Sequence, residues 1–348
     1  MAIISDDEGM ERRVKKNPIV KPETIEYDNT FESSIRPKDF ESYIGQGALK
    51  ETLKITLEAA KKRGKPLDHL LFYGPPGLGK TTIAGVIASQ MGVEIRITSA
   101  PALERPRDII GILMSLKGGE ILFIDEIHRL NKVAEEILYP AMEDFTLDMT
   151  TGKSQTAKTL RVPLPKFTLI GATTKAGELS SPLRDRFGMI HRLEFYTVEE
   201  LAQVVERTAK ILEVEITEEG AKAIAMRSRG TPRIANRLVK RVSDFAIVKY
   251  DGVIDKRVAN ESLDILKIDE FGLDNTDRVL LNLIIDKYDG GPVGIETIAA
   301  ALSEDVCEPY LLQAGLLQRT PRGRKVSPEG YRHLGIKMPS EQRRLFDD

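Results

Sequence analysis

Gly74-Pro75-Pro76-Gly77-Leu78-Gly79-Lys80-Thr81 sets glycines, a lysine and a hydroxyl at the spacing of a phosphate-binding loop. The glycines let backbone N–H groups turn inward around a polyphosphate, and a helix starting on the loop adds its positive N-terminal end. Lys80 supplies a point charge for the phosphates, and the Thr81 hydroxyl suits Mg²⁺. Further on, Ile121-Leu122-Phe123-Ile124-Asp125-Glu126 ends an apolar run on two carboxylates. Asp125 is placed to hold the water shell of Mg²⁺, and Glu126 to polarise an attacking water. Together the two segments predict hydrolysis of ATP with Mg²⁺ as cofactor.

Three further groups could complete that chemistry. Thr168-Leu169-Ile170-Gly171-Ala172-Thr173-Thr174 is a strand pattern ending in hydroxyls, and Thr173 or Thr174, which spacing does not separate, could order the attacking water. Arg184 and Arg186, in Pro182-Leu183-Arg184-Asp185-Arg186-Phe187, carry planar guanidinium groups suited to the charge that develops on a transferring phosphoryl group. Arg233 opens a helix in Gly230-Thr231-Pro232-Arg233, poised for a phosphate or solvated. A separate basic turn carries Arg319, Arg322 and Arg324, which suits tracking a duplex backbone without reading its sequence.

These residues need a scaffold. Apolar runs at 69–73, 94–98, 121–124, 167–171 and 191–195 alternate with helical patterns, the signature of a parallel α/β sheet. Residues 146–166 alternate apolar and polar positions around Gly152 and predict a projecting hairpin. After Tyr196 the pattern becomes helical only. Thr197-Val198-Glu199-Glu200 reads as a capping box, Thr217-Glu218-Glu219-Gly220 as a second helix start and Thr231-Pro232 as a third. In the last segment, helices at 277–288, 295–302 and 306–314 precede two short strands at 316–320 and 325–327, the layout of a winged helix-turn-helix. The expected organisation is a flexible tail (1–34), a large P-loop α/β domain (35–195), a small helical lid (196–268) and a C-terminal winged helix (269–348).

The chain has 348 residues, enough for two or three cores, with a net charge of −2 that excludes global electrostatic attraction to nucleic acid. DNA contact must therefore come from a local patch or from several assembled copies. Cys307 is the single cysteine and His69, His128, His191 and His333 lack metal-ligand spacing, which argues against a disulfide framework and a histidine metal site. With no signal-peptide or membrane-spanning pattern, the expectation is a cytoplasmic protein.

The motifs in this order are those of AAA+ ATPases. Within that class, Ile35-Arg36-Pro37, Tyr43-Ile44-Gly45-Gln46, GPPGLGKTT, LFIDEIHRL and RTPRGR resemble the RuvB family of Holliday-junction branch-migration motors, a likeness that runs from Ile35 onward. The resemblance implies that Ile35, Arg36, Tyr43 and Ile44 line an adenine pocket and that Gly77, Gly79, Lys80, Thr81 and Thr82 hold the phosphates. It further implies Tyr196 and Arg233 (sensor 2) reaching in from the lid, Thr173 as sensor 1 and Arg186 as the arginine finger, with Arg184 second. Glu143, Asp144 and Phe145 would lie near the nucleotide at a subunit boundary. The implied assembly is a hexameric ring on DNA, engaging RuvA through the hairpin 146–166 and working with RuvC. Two departures from the family pattern stand out: 301–306 is several residues shorter, and the hairpin tip 150–159 lacks the family's Gly-Pro and Ala-Arg-Ser wording. The competing readings are another AAA+ machine, such as a clamp loader or remodeller, which needs no basic winged helix, and a nucleotide-switched DNA-binding regulator, which needs no complete hydrolysis apparatus.

Overall fold

Five strands build one parallel sheet: β1 (Leu70–Tyr73), β2 (Ile95–Ser99), β3 (Ile121–Asp125), β6 (Thr168–Thr173) and β7 (Met189–Arg192), in the order β2-β3-β6-β1-β7. The computed structural model describes residues 34–151, 158–302 and 308–339. The tail expected over 1–34 therefore lies almost wholly outside the described residues, as do the hairpin tip and most of the shortened stretch 301–306. The chain divides into two compact units, Met1–Arg36 and Pro37–Asp348. Of the first unit, only residues 34–36 are described, with Ile35 buried and Arg36 exposed.

The central strands are mostly apolar because both faces are covered. Leu70, Phe72, Ile121, Phe123, Ile170 and Ala172 point to one core, shared with α1 (Gly47–Arg63) and α2 (Lys80–Met91). Leu71, Leu122, Ile124 and Leu169 alternate to the other face, against α3 (Pro106–Ser115), α4 (Lys132–Glu143) and the single turn α5 (Ser181–Arg184). The edge strands β2 and β7 are only half-buried.

The last strand runs over Met189–Arg192, not 191–195 as the apolar run suggested. After Leu193 N–H donates to the Tyr73 carbonyl, the Gln46 side chain takes over. Its amide donates to the Glu194 carbonyl at 2.6 Å and accepts the Glu194 N–H at 3.1 Å, so a side chain stands where a sheet partner would be. The hairpin consists of β4 (Thr146–Thr151) and β5 (Lys158–Pro163), paired antiparallel with Leu147 opposite Val162. Leu147 and Leu164 root it in the core, while Leu160 is 56% exposed.

Four helices follow: α6 (Val198–Ile211), α7 (Glu218–Met226), α8 (Pro232–Lys249) and α9 (Lys256–Ile265). Thr197 and Glu200 form the expected capping box, and the Thr217 hydroxyl accepts the Gly220 N–H. The segment is not purely helical: β8 (Glu215–Ile216) and β9 (Val253–Ile254) pair in parallel. Each leads into a capping residue, Thr217 or Asp255, so the short pair ties two helix starts side by side. Two residues per strand are too few to leave a period in the sequence.

The C-terminal segment has its own core around Leu280, Leu281, Ile284, Ile298, Leu311 and Tyr331. Its helices are α10 (Asn275–Tyr288), α11 (Ile295–Leu302) and α12 (Glu308–Gln313), followed by the hairpin β10 (Leu317–Thr320) and β11 (Gly323–Val326). The second strand starts at Gly323, two residues before the expected 325, because only Pro321 and Arg322 separate the paired Thr320 and Gly323. A final short helix, α13 (Pro328–His333), capped by Ser327, was not anticipated. Among the described residues, no helix is long and apolar enough to cross a membrane.

Candidate nucleotide-hydrolysis site

Strands β1, β6 and β3 are neighbours, and their carboxyl ends carry the phosphate loop, the threonines and the two acids respectively. Ligands in such sheets bind outside the carboxyl ends. The loop is tied to its neighbour by Gly74 N–H donating to the Thr173 carbonyl at 3.2 Å. Helix α2 begins after Gly79, which has no side chain to cap the first turn, so the initial N–H groups face outward as anion donors. Gly77 has φ +82°, and a Cβ there would lie 3.3 Å from the Arg233 Cβ. Only glycine allows the loop this turn and this closeness to the lid.

Lys80 is buried, and its ammonium donates to the carbonyls of Gly74 at 2.9 Å and Pro75 at 3.0 Å. Burial pulls its pKa down, against the charges of Asp125 and Glu126. Burial likewise pushes the Asp125 carboxyl up, with Glu126 adding to the shift and the Glu126 N–H, Lys80 and Arg233 opposing it. A carboxylate raised by burial beside a second acid gains from a cation. Thr81, half-buried at the start of α2, offers a further hard oxygen, so the donor set fits Mg²⁺.

Glu126 has φ +48°, and its N–H donates to Asp125 Oδ1 at 2.9 Å. The two threonines that spacing left open differ here. Thr173 is fully buried, accepts the Lys175 N–H at 2.9 Å and lies 2.9 Å from His128 Nδ1. Thr174 donates its hydroxyl to Glu126 Oε2 at 3.1 Å. His128 Nδ1 is also 3.2 Å from that same Glu126 oxygen, so an imidazole joins the carboxylate to the strand end. In the sequence His128 stood out only as lacking metal-ligand spacing; its position two residues after Glu126 is the one local signal of this contact.

On the other side of the loop, the Tyr43 hydroxyl would lie 3.2 Å from a Cβ at Gly79 and is 3.3 Å from the Tyr196 hydroxyl. Burial raises both phenols above their ordinary pKa, most for Tyr43 with Tyr196 beside it. Ile44 packs half-buried against the same core. Lys50 and Arg207 fasten this corner by donating to the Tyr43 and Ser42 carbonyls, each at 2.7 Å. The sequence reading named neither. Arg233, exposed at the start of α8, brings its backbone N–H to the Gly77 carbonyl at 3.4 Å.

Arg186 lies elsewhere. Its guanidinium is 4.3 Å over the Tyr139 ring, donates to the Pro182 carbonyl at 2.6 Å and pairs with Glu143 at 3.2 Å. None of these partners belongs to the phosphate loop. Tyr139 and Ser180 both donate to Glu135 Oε2, at 3.0 and 2.7 Å, which stiffens the platform under Arg186. Arg184, two residues earlier, is exposed, as is Asp144. Phe145 packs edge-on against Phe167 with ring centroids 5.9 Å apart, in the core and not at the phosphate loop. Of the expected trio at 143–145, only Glu143 therefore meets a candidate catalytic group.

Three family models cover nearly all of this architecture. That of the Holliday junction DNA helicase RuvB P-loop domain matches residues 35–193, the RuvB AAA lid domain 196–269, and the RuvB C-terminal winged helix domain 270–335. The chain belongs to the RuvB family. Among curated relatives, the Holliday junction branch migration complex subunit RuvB of Crocosphaera subtropica is 57% identical over 100% of both chains. That of Nostoc punctiforme is 58% identical over 94% of this chain and 92% of its own. The solved Thermotoga maritima RuvB Holliday junction branch migration motor is 50% identical, covers 88% of this chain and 100% of its own, and superposes with a TM-score of 0.81. A lysine-to-arginine variant of that protein gives 49% identity, 88% and 99% coverage, and a TM-score of 0.82.

The RuvB winged helix places its basic turn on β10 and β11. Arg319 pairs directly across from Arg324, and Arg322 is exposed at the tip. Like charges directly opposite on a hairpin disfavour it unless an anion lies against them.

Proposed function

We propose that this chain is the ATP-driven motor of Holliday-junction branch migration, a translocase that draws duplex DNA through a ring of copies of itself. What carries this reading is the meeting of a phosphate loop, an acid pair and a water-ordering threonine at three adjoining strand ends, in a chain with all three RuvB domains. The phosphates of ATP are assigned to Gly77, Gly79, Lys80, Thr81 and Thr82, and the base to Tyr43, Ile44 and Tyr196. Thr81 and Asp125 would hold Mg²⁺, which when bound would supply neutralisation of phosphate charge. Glu126 takes the proton of the attacking water, and Thr174, which shares its carboxylate oxygen, supports the sensor role better than the fully buried Thr173. Arg233 reads the phosphates from the lid. Arg186 serves the neighbouring subunit's ATP, with Glu143 holding it until the ring closes. A hexamer, a cytoplasmic setting and RuvC in a joint complex are part of the same proposal.

The test is ATP-dependent migration of a synthetic four-way junction with RuvA supplied. Migration that stops on chelation of Mg²⁺ or in Lys80→Ala supports the motor, whereas hydrolysis without movement hands the function to a remodeller.

Two partner surfaces give further expectations. Arg319→Ala with Arg322→Ala should weaken duplex binding equally for unrelated sequences and lower the slope of log K against log salt by about two, measured by anisotropy titration. An unchanged slope removes the wing from the DNA path. The exposed Leu160 on the projecting hairpin is assigned to RuvA, so Leu160→Asp should weaken RuvA binding by about tenfold or more, as read by surface plasmon resonance. Equal affinity would move that contact elsewhere.

A further inference from the structure

Five consecutive residues, 229–233, join the nucleotide site to the winged helix. At one end, Arg233 N–H meets the Gly77 carbonyl of the phosphate loop, and Thr231 Cβ would lie 3.5 Å from a Cβ at Gly77. In the middle, the Gly230 carbonyl accepts the Tyr196 N–H at 2.9 Å, which fixes the turn to the start of the lid. At the other end, Arg229 leaves the lid altogether. Its Nε donates to the Gly272 carbonyl at 2.6 Å, and its Nη2 reaches Asp274 at 3.0 Å and Asp277 at 2.5 Å, at the start of α10. Its guanidinium also lies 5.8 Å from the Tyr310 ring of α12.

The environment makes these contacts specific. Arg229 is 9% exposed and Asp277 4%. Arg229 has φ +52°, a conformation that non-glycine residues rarely hold without surrounding support. The chains close so tightly here that a Cβ at Gly272 would lie 2.4 Å from the Arg227 carbonyl oxygen. On the winged-helix side, Asp269 receives Arg278 at 3.2 Å and His333 at 2.9 Å, and Tyr310 donates to the Phe271 carbonyl at 2.6 Å. An apolar contact would hold two domains together without desolvating charges, whereas a buried, forked ion pair fixes one relative geometry. That is the property a mechanical joint needs.

We propose that Arg229 is a positioning residue that locks the winged helix to the turn reaching the phosphate loop, so that movement of the lid with nucleotide state is passed to bound DNA. This rests on the motor reading above. The side-chain partners of Arg229 among the described residues, Gly272, Asp274, Asp277 and Tyr310, all lie in the C-terminal segment, so its loss should uncouple the motor and spare its chemistry. Burial raises the Asp277 acid to about 6, so removing its partner leaves a group that can be neutral.

The decisive variants of the full chain are Arg229→Met, which keeps length without charge, and Arg229→Lys, which keeps charge without the fork. In Arg229→Met, basal ATP hydrolysis and duplex affinity should stay within about threefold, while junction migration per ATP hydrolysed falls at least about tenfold. Arg229→Lys should recover part of that loss. Unchanged migration per ATP in Arg229→Met overturns the proposal, as does a parallel fall in basal hydrolysis with the melting temperature preserved. If Arg229→Met does not fold, Asp277→Asn, which keeps the shape, is judged on the same ratio: a fall supports the joint and no change overturns it. Should the wild-type chain hydrolyse ATP yet move no junction, the motor reading fails separately. Arg229 is then judged on stimulation of hydrolysis by DNA, which Arg229→Met should abolish and which, if retained, refutes the coupling.

Discussion

Arg186→Ala is expected to lower ATP turnover by roughly 10³-fold or more while leaving nucleotide affinity within about threefold, the signature of a finger acting in trans. Within one chain Arg186 rests on Tyr139, Glu143 and the Pro182 carbonyl, all away from the phosphate loop. Truncation therefore removes no ground-state contact to the chain's own ATP. Steady-state hydrolysis and titration with a fluorescent nucleotide separate the two quantities. A complementation assay sharpens the result: Arg186→Ala chains mixed with Lys80→Ala chains should regain partial turnover, because each supplies what the other lacks across a boundary. Loss of nucleotide binding along with turnover would place Arg186 in its own site and sink the assignment. Arg184→Ala, at an exposed position two residues earlier, should cost far less.

Glu126→Gln is the second large effect. The amide preserves shape but cannot take the proton of the attacking water, so hydrolysis should fall by about 10²- to 10⁴-fold with ATP still bound. Single-turnover chase of labelled ATP, with binding measured in parallel, checks this. The contacts to Thr174 and His128 predict that the variant keeps its local geometry, since an amide can still accept from the threonine hydroxyl. Near-normal turnover would shift the base role away from Glu126.

How the chemistry was legible in the sequence can be argued residue by residue. The phosphate loop was readable because glycine conformations, a lysine and a hydroxyl act within eight consecutive positions. The two acids were readable because a short apolar run ending in carboxylates, downstream of a phosphate loop, fits a buried strand of the same sheet. The expected helix starts at 198 and 218 were readable from threonine caps that satisfy their own first turns, and the one at 232 from a proline at the first helical position. The end of β7 was not, because it depends on Gln46, 148 positions from Glu194. The choice between Thr173 and Thr174 was equally hidden. Adjacent residues at a strand end point apart, and which one meets Glu126 is set by how β6 lies beside β3.

By itself the sequence determined the chemistry and the kind of elements that carry it: a triphosphate loop, an acid pair, alternating strands and helices, then a basic wing. Those features rest on local backbone freedom, capping and periodicity, which act over a few residues and need no partner. Only the tertiary structure decided which side chains meet. It parked Arg186 on Tyr139, joined His128 to Glu126, and carried Arg229 from the lid to Asp277 on the winged helix. Such contacts join residues remote in the chain, and their partners follow from the packing of whole elements, which no local pattern encodes.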